Sequence, residues 1–163
     1  MSADRLAWQR TLLLADDADP DAVAKHAAGR DWLTCDETGD WPGATVLTAW
    51  RTGDGSLVRH AEHQLYGTRF VSITAATPEA GEALAAELAT VAPTATLAEV
   101  TAVLSAEPAA DPVDLIRAAR ELATLRVTLV ADGGEDPGHE AIDRHAGHPS
   151  PHVRRAVQLV VGE

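Results

Sequence analysis

The histidines are the residues of this 163-residue chain with the most versatile chemistry, because an imidazole can bind a metal ion or transfer a proton near neutral pH. Four of the seven lie near the C-terminus: His139, His145, His148 and His152. A zinc site needs three or four converging ligands, and two of them commonly stand four residues apart on a helix. His139 and Asp143 have this spacing, but prolines interrupt the chain between His148 and His152. We therefore expect no metal site.

A second group of ionisable residues is His60, Glu62 and His63. His60 and His63 are three residues apart in a predicted strand, where alternation sends their side chains to opposite faces and makes them a poor chelate. Glu62 could pair with a histidine as acid and base, but neighbours on a strand point apart. We expect no catalytic residue, and the alternative is an enzyme with an unrecognised active site near His60 and Glu62.

Motifs for other chemistries are missing from the sequence. There is no Gly-x-Ser-x-Gly nucleophile elbow, no phosphate-binding loop and no Gly-x-Gly-x-x-Gly after a strand. The single cysteine, Cys35, is followed by Asp36 and Glu37, whose negative charges oppose thiolate formation. We therefore expect no cofactor and a non-catalytic role.

The first part of the chain has the pattern of an α+β domain, which we assign to residues 1–92. Five segments are predicted as strands: residues 8–14, 31–36, 46–51, 57–63 and 69–74. The Asp-Gly pair between the third and fourth strands is typical of a tight hairpin, so the last three strands form an antiparallel meander. Helices are predicted over residues 21–28 and from Thr77 to Val91, where they can pack on the sheet.

The second part, residues 93–163, is predicted to be helical. Thr96 and Glu99 form a capping box ahead of the first helix, and a second helix follows Pro112. Further helices are expected over residues 139–146 and 151–161. Residues 126–131 are mostly apolar, half of them are β-branched, and they fit either a short strand or the end of the second helix.

Two proline-containing junctions in this second part resemble those of HEAT-type helical repeats. They are residues 147–156 (GHPSPHVRRA) and, as a weaker copy about 40 residues earlier, residues 111–119 (DPVDLIRAA). The resemblance covers about residues 95–163. With residues 49–55 (AWRTGDG) and 65–71 (LYGTRFV), the whole chain resembles actinobacterial proteins in which a small α+β domain precedes HEAT-like helices. The resemblance implies an architecture and an interaction role, and it implies no reaction.

The charge balance bears on the choice of partner. With 25 acidic and 13 basic residues the net charge is −12, which repels nucleic acid and anionic membrane surfaces and favours a basic protein partner. No apolar run reaches the roughly 18 residues that span a membrane. We expect a bacterial adaptor or neutralising subunit in the cytoplasm.

The predicted binding residues are Trp41, Arg154, Arg155 and Val157. Trp41 lies in a loop between Asp40 and Pro42, where it could anchor a partner, while the other tryptophans are expected in the core. Val157 belongs to the apolar stripe of the last helix. We expect part of this stripe to stay exposed and to bind a partner or a second copy of the chain. The alternative is that the stripe packs inward.

Overall fold

The computed structural model describes residues 8–15, 18–19, 21–36, 43–131 and 138–161, and for residues 127–131 it describes the backbone alone. The chain divides into two compact units, Met1–Thr94 and Ala95–Glu163. This division falls two residues after the boundary predicted from the sequence. Trp41 lies outside the described residues.

The first unit is built on an antiparallel sheet with two helices. Its elements are β1 (Trp8–Leu14), α1 (Ala22–Gly29), β2 (Leu33–Cys35), β3 (Ala44–Arg51), β4 (Leu57–His63), β5 (Arg69–Ala75) and α2 (Pro78–Val91). A two-residue strand, β6 (Thr94–Ala95), stands at the division between the units, and the strand order is β2-β3-β4-β5-β1-β6. The predicted α+β class and the β3-β4-β5 meander are confirmed. The sequence pattern did not predict β6 or the place of β1 beside β5.

One face of the sheet and the two helices share an apolar core. Its buried members are Leu12, Leu14, Val23, Ala27, Trp32, Trp50, Val58, Val71, Ile73, Leu84, Ala85, Leu88 and Ala92. The strand register explains why these residues share one face of the sheet. Leu12 of β1 lies opposite Val71 of β5, and Val58 of β4 lies opposite Ile73 of β5. Burying each large side chain contributes about 1.5–3 kcal/mol. The expected burial of tryptophans is confirmed for Trp32 and Trp50.

Helix α2 is held at its start by a cap and along its length by close packing. The Thr77 hydroxyl accepts a hydrogen bond from the Ala80 N–H at 3.2 Å, and Pro78 occupies the first turn, where its missing N–H costs nothing. One turn later Gly81 is buried against the indole of Trp8. A Cβ at position 81 would lie 2.1 Å from a ring carbon of Trp8, so only glycine lets the helix approach so closely.

We predict that Gly81→Ala lowers the free energy of unfolding by about 1–3 kcal/mol, because overpacking outweighs the gain in helix propensity. Gly29→Ala is the matched control, since a Cβ at that helical position meets nothing within 4 Å. Urea denaturation followed by circular dichroism measures both variants. Equal or higher stability of Gly81→Ala would contradict the close packing.

The second unit contains four helices among the described residues: α3 (Leu97–Leu104), α4 (Pro112–Ala131), α5 (His139–Asp143) and α6 (Pro151–Val161). Helix α4 packs against α3 and α6, and α5 also contacts these two helices. The capping box is confirmed, since the Thr96 hydroxyl accepts the Glu99 N–H at 3.4 Å. Residues 126–131 continue α4, and α5 ends at Asp143, earlier than predicted, where turns follow.

None of the helices that the structure describes combines the length and the apolar character needed to cross a membrane.

Candidate functional site: a cleft in the first unit

A cleft of about 450 Å³ opens in the first unit between α2, the end of α1 and the β3-β4 hairpin. It is lined by Arg30, Trp32, Thr52, Gly53, Asp54, Ala80, Ala83, Leu84 and Glu87. Three of these residues face the cleft from one side of α2 with small or apolar side chains, namely Ala80, Ala83 and Leu84. The cleft therefore combines an apolar wall with charged groups, as ligand sites generally do.

The chain turn after α1 places Trp32 in this cleft. Asp31 adopts a left-handed conformation (φ 56°), and the Trp32 N–H donates to the Ala27 carbonyl at 3.0 Å, which closes the helix end. The Trp32 ring meets the His26 ring edge-on with centroids 5.4 Å apart. The side chain is 9% exposed, so it forms part of both the core and the cleft.

Glu87 links the two helices that frame the cleft. Its carboxylate accepts from His26 Nε2 at 2.7 Å and pairs with the Arg30 guanidinium at 3.3 Å. The His26–Glu87 contact is partly buried, whereas the Arg30 side chain is 58% exposed. The Arg30 contact is consequently the weaker and more exchangeable one.

The β3-β4 hairpin holds Asp54 in a fixed position at the cleft. Its Oδ1 atom accepts from the Thr52 hydroxyl at 2.5 Å and from the Ser56 N–H at 3.0 Å, while Gly55 supplies the positive φ of the turn. These hydrogen bonds, that of Thr52 first, hold the pKa of the Asp54 carboxyl below its ordinary value. A preorganised carboxylate is thus presented to solvent.

The geometry of the cleft favours binding over proton transfer. Among the described residues that line the cleft, Thr52 alone carries a hydroxyl, and it donates to Asp54, which is the arrangement of a nucleophile with its base. A carboxylate whose pKa is lowered is, however, a weak proton acceptor. Glu87 is already engaged by two cationic or hydrogen-bonding partners. The ionisable groups of the cleft are therefore suited to recognising charge.

His60 and Glu62, the residues of the enzymatic alternative, lie elsewhere on the sheet. Contrary to the expectation that they point apart, they share one face of β4, because they are two residues apart and lie opposite Val71 and Arg69 of β5. His60 is only 5% exposed, and its Nε2 atom has no hydrogen-bond partner in the described part of the chain. Neither residue lines the cleft.

His63 lies on the opposite face of β4 and orders the turn that follows. Its Nδ1 atom accepts the N–H groups of Leu65 and Tyr66, each at 3.2 Å, and its ring stacks on that of Tyr66. Burial lowers the pKa values of both His63 and His60, and Arg69 lowers that of His60 further. These two histidines are therefore neutral in the folded chain near neutral pH.

We predict that stability falls as the pH drops below 6.5, the ordinary histidine pKa, because the unfolded chain then binds protons that folded His60 and His63 resist. His60→Gln removes part of this dependence, and His152→Gln, at an exposed position, leaves it unchanged. Urea midpoints between pH 5 and 8 measure the effect. If the urea midpoint of the His60→Gln variant depended on pH as steeply as that of the unmodified chain, the contribution of His60 to the pH dependence would be refuted.

Two histidines of the second unit, His145 and His148, form hydrogen bonds with backbone groups. His145 Nε2 bonds to the Leu104 carbonyl at 2.6 Å, and His148 Nδ1 accepts the Ser150 N–H at 3.0 Å. Within the described ranges, no group of three or more histidine, cysteine or acidic residues has a geometry that could hold a metal ion.

The predicted binding residues of the last helix have different environments. Arg154 is half-buried, and its guanidinium donates to the carbonyls of His148 and Pro149 at 2.7 and 3.1 Å, which fixes the turn before α6. Arg155 is exposed. Val157 is only 3% exposed, and the other stripe residues, Val153, Ala156 and Val160, are buried as well. The expectation of an exposed stripe is therefore wrong, because the stripe packs inward.

We predict that Val157→Asp unfolds the second unit, since an unpaired buried charge costs about 3–5 kcal/mol. Leu159→Asp is the matched control, because Leu159 of the same helix is 42% exposed. Circular dichroism and size-exclusion chromatography compare the two variants. A folded Val157→Asp variant that has merely lost an oligomer would restore the exposed-stripe hypothesis.

The cleft residues carry no sequence signal that marks them as a site. The Asp-Gly hairpin was recognised as a turn, and Trp32 was assigned to the core, but their meeting with Glu87 depends on three elements that are distant in sequence. The amphipathic pattern of α2 predicted only that this helix packs on the sheet.

Comparisons of the chain with protein-family models, with curated proteins and with solved structures found no match.

Proposed function

We propose that the chain is a non-catalytic protein-binding module and that the cleft of the first unit is its contact site. The observation that carries this proposal is the cleft itself, in which the ring of Trp32 and the apolar side of α2 are bordered by fixed charges. An apolar centre with a polar rim is the usual anatomy of a protein interface, and tryptophan is prominent among the residues that dominate binding energy.

The charge of the chain supports a basic partner. The net charge is −12, and α2 carries Glu79, Glu82 and Glu87 without any lysine or arginine. Such a field accelerates association with a cationic protein and disfavours nucleic acid. The proposed role is that of an adaptor or neutralising subunit in the cytoplasm.

The second unit is proposed to be a short HEAT-like array. The two junctions that carry the resemblance, residues 111–119 and 147–156, lead into α4 and α6, and these helices pack against each other. Contact between successive equivalent elements is the organising feature of repeat proteins. Within this proposal Arg155, which is exposed, is available to a partner.

Photo-crosslinking tests the proposed contact site. With p-benzoylphenylalanine at exposed position 83 in the cleft, we predict one specific crosslinked protein in cells that naturally produce the chain. The matched control carries the same group at position 102, which is exposed on α3. Unlabelled chain in excess must abolish the crosslink. Equal products from both positions, or none from position 83, would contradict binding of a partner protein at the cleft, and a product of twice the chain mass would identify self-association.

A further inference from the structure

The charged groups of the cleft differ in how strongly they are bound by ion pairs and hydrogen bonds within the chain. Asp54 is oriented by hydrogen bonds that include those from the Thr52 hydroxyl and the Ser56 N–H to its Oδ1 atom, and within the described part of the chain no cationic side chain is seen to pair with it. Because these bonds fix the carboxylate before a ligand arrives, binding a cation there costs little additional conformational entropy. The lowered pKa keeps the group ionised well into the acidic range.

Glu87 provides a second negative charge on the α2 side of the cleft. Its partly buried contact with His26 keeps the carboxylate in place, while its contact with the mostly exposed Arg30 is long at 3.3 Å. A guanidinium from another molecule can replace Arg30 at little cost, since exposed ion pairs contribute only about 0–1 kcal/mol. Arg30 would then turn to solvent, and the cleft would gain a net attraction for cations.

Trp32 and Leu84 provide the apolar surface beside these carboxylates. The aliphatic stem of an arginine or lysine packs well on such a surface, and a guanidinium is also attracted to the face of an indole ring. Arginine fits better than lysine, because its planar guanidinium can donate two parallel hydrogen bonds to one carboxylate.

From these observations we infer that the cleft binds an arginine side chain from a basic segment of a partner protein, with the stem on Trp32 and Leu84 and the guanidinium at Asp54 and Glu87. This inference rests on the proposed protein-binding function and specifies the chemistry of the partner. The volume of about 450 Å³ falls within the range of ligand-sized clefts, so residues flanking the arginine are accommodated as well.

The test uses two defined probes, N-acetyl-Leu-Arg-Leu-amide and the same peptide with citrulline, which keeps the shape of arginine and lacks its charge. Titrations at low ionic strength are followed by NMR at the amides of Gly53 and Ala83 and at the Trp32 indole. We expect saturable shifts with the arginine peptide and at least about ten-fold weaker binding of the citrulline peptide.

Two variants that each remove one negative charge distinguish specific binding at the cleft from attraction by the net charge of the protein. Asp54→Asn keeps an oxygen for the hydrogen bonds of Thr52 and Ser56, and we expect it to weaken arginine-peptide binding about three- to ten-fold. Asp143→Asn removes the same charge at an exposed position of α5 in the second unit and is expected to leave binding unchanged. Equal binding of both peptides, or equal effects of both substitutions, would overturn the inference.

The outcome is distinguishable from that of the crosslinking experiment. A protein crosslinked at position 83 together with no preference for the arginine peptide overturns the arginine inference and leaves the protein-binding proposal intact. Arginine-dependent binding without a crosslinked protein supports the cationic site and counts against a protein as its occupant.

Discussion

The packing of α2 onto the sheet is the constraint on which the rest of the first unit depends. Gly81 allows the helix to lie directly against Trp8, and Leu84, Ala85 and Leu88 then close the core above β1 and β5. With α2 in this position, Ala80 and Ala83 line a cleft beside the core together with residues of the β3-β4 hairpin. The position of one helix thus determines both the stability of this unit and the shape of its candidate site.

Part of the charge at the cleft follows from the position of α2. Glu87 stands where α2 passes α1, and its contacts with His26 and Arg30 join the two helices. The turn that brings Trp32 into the core also places it in the cleft that Glu87 lines, while the hairpin supplies Asp54 independently. Burial keeps His60 and His63 neutral on the sheet, and His145 and His148 are occupied by backbone groups in the second unit. None of these four histidines lines the cleft.

Local sequence signals predicted most of the elements, because caps, turns and periodicity act over a few residues. Thr77, Thr96 and the Asp-Gly hairpin were recognised in this way, and β1, β4 and α6 have the predicted bounds. Features that depend on distant partners could not be predicted. The two-residue strand β6 has too few residues for a pattern, the inward packing of Val157 depends on which helices surround α6, and the cleft requires three separate segments to meet.

The central claim is that Trp32 and Asp54 together receive an arginine side chain, and intermolecular NOE spectroscopy tests it most directly. The indole signals of Trp32 can be assigned with a Trp32→Phe variant, which separates them from those of Trp8, Trp41 and Trp50. We expect cross-peaks between the Trp32 ring protons and the arginine methylene protons of the bound tripeptide. Cross-peaks to Trp8 or Trp50 instead, or none at saturating peptide, would contradict it.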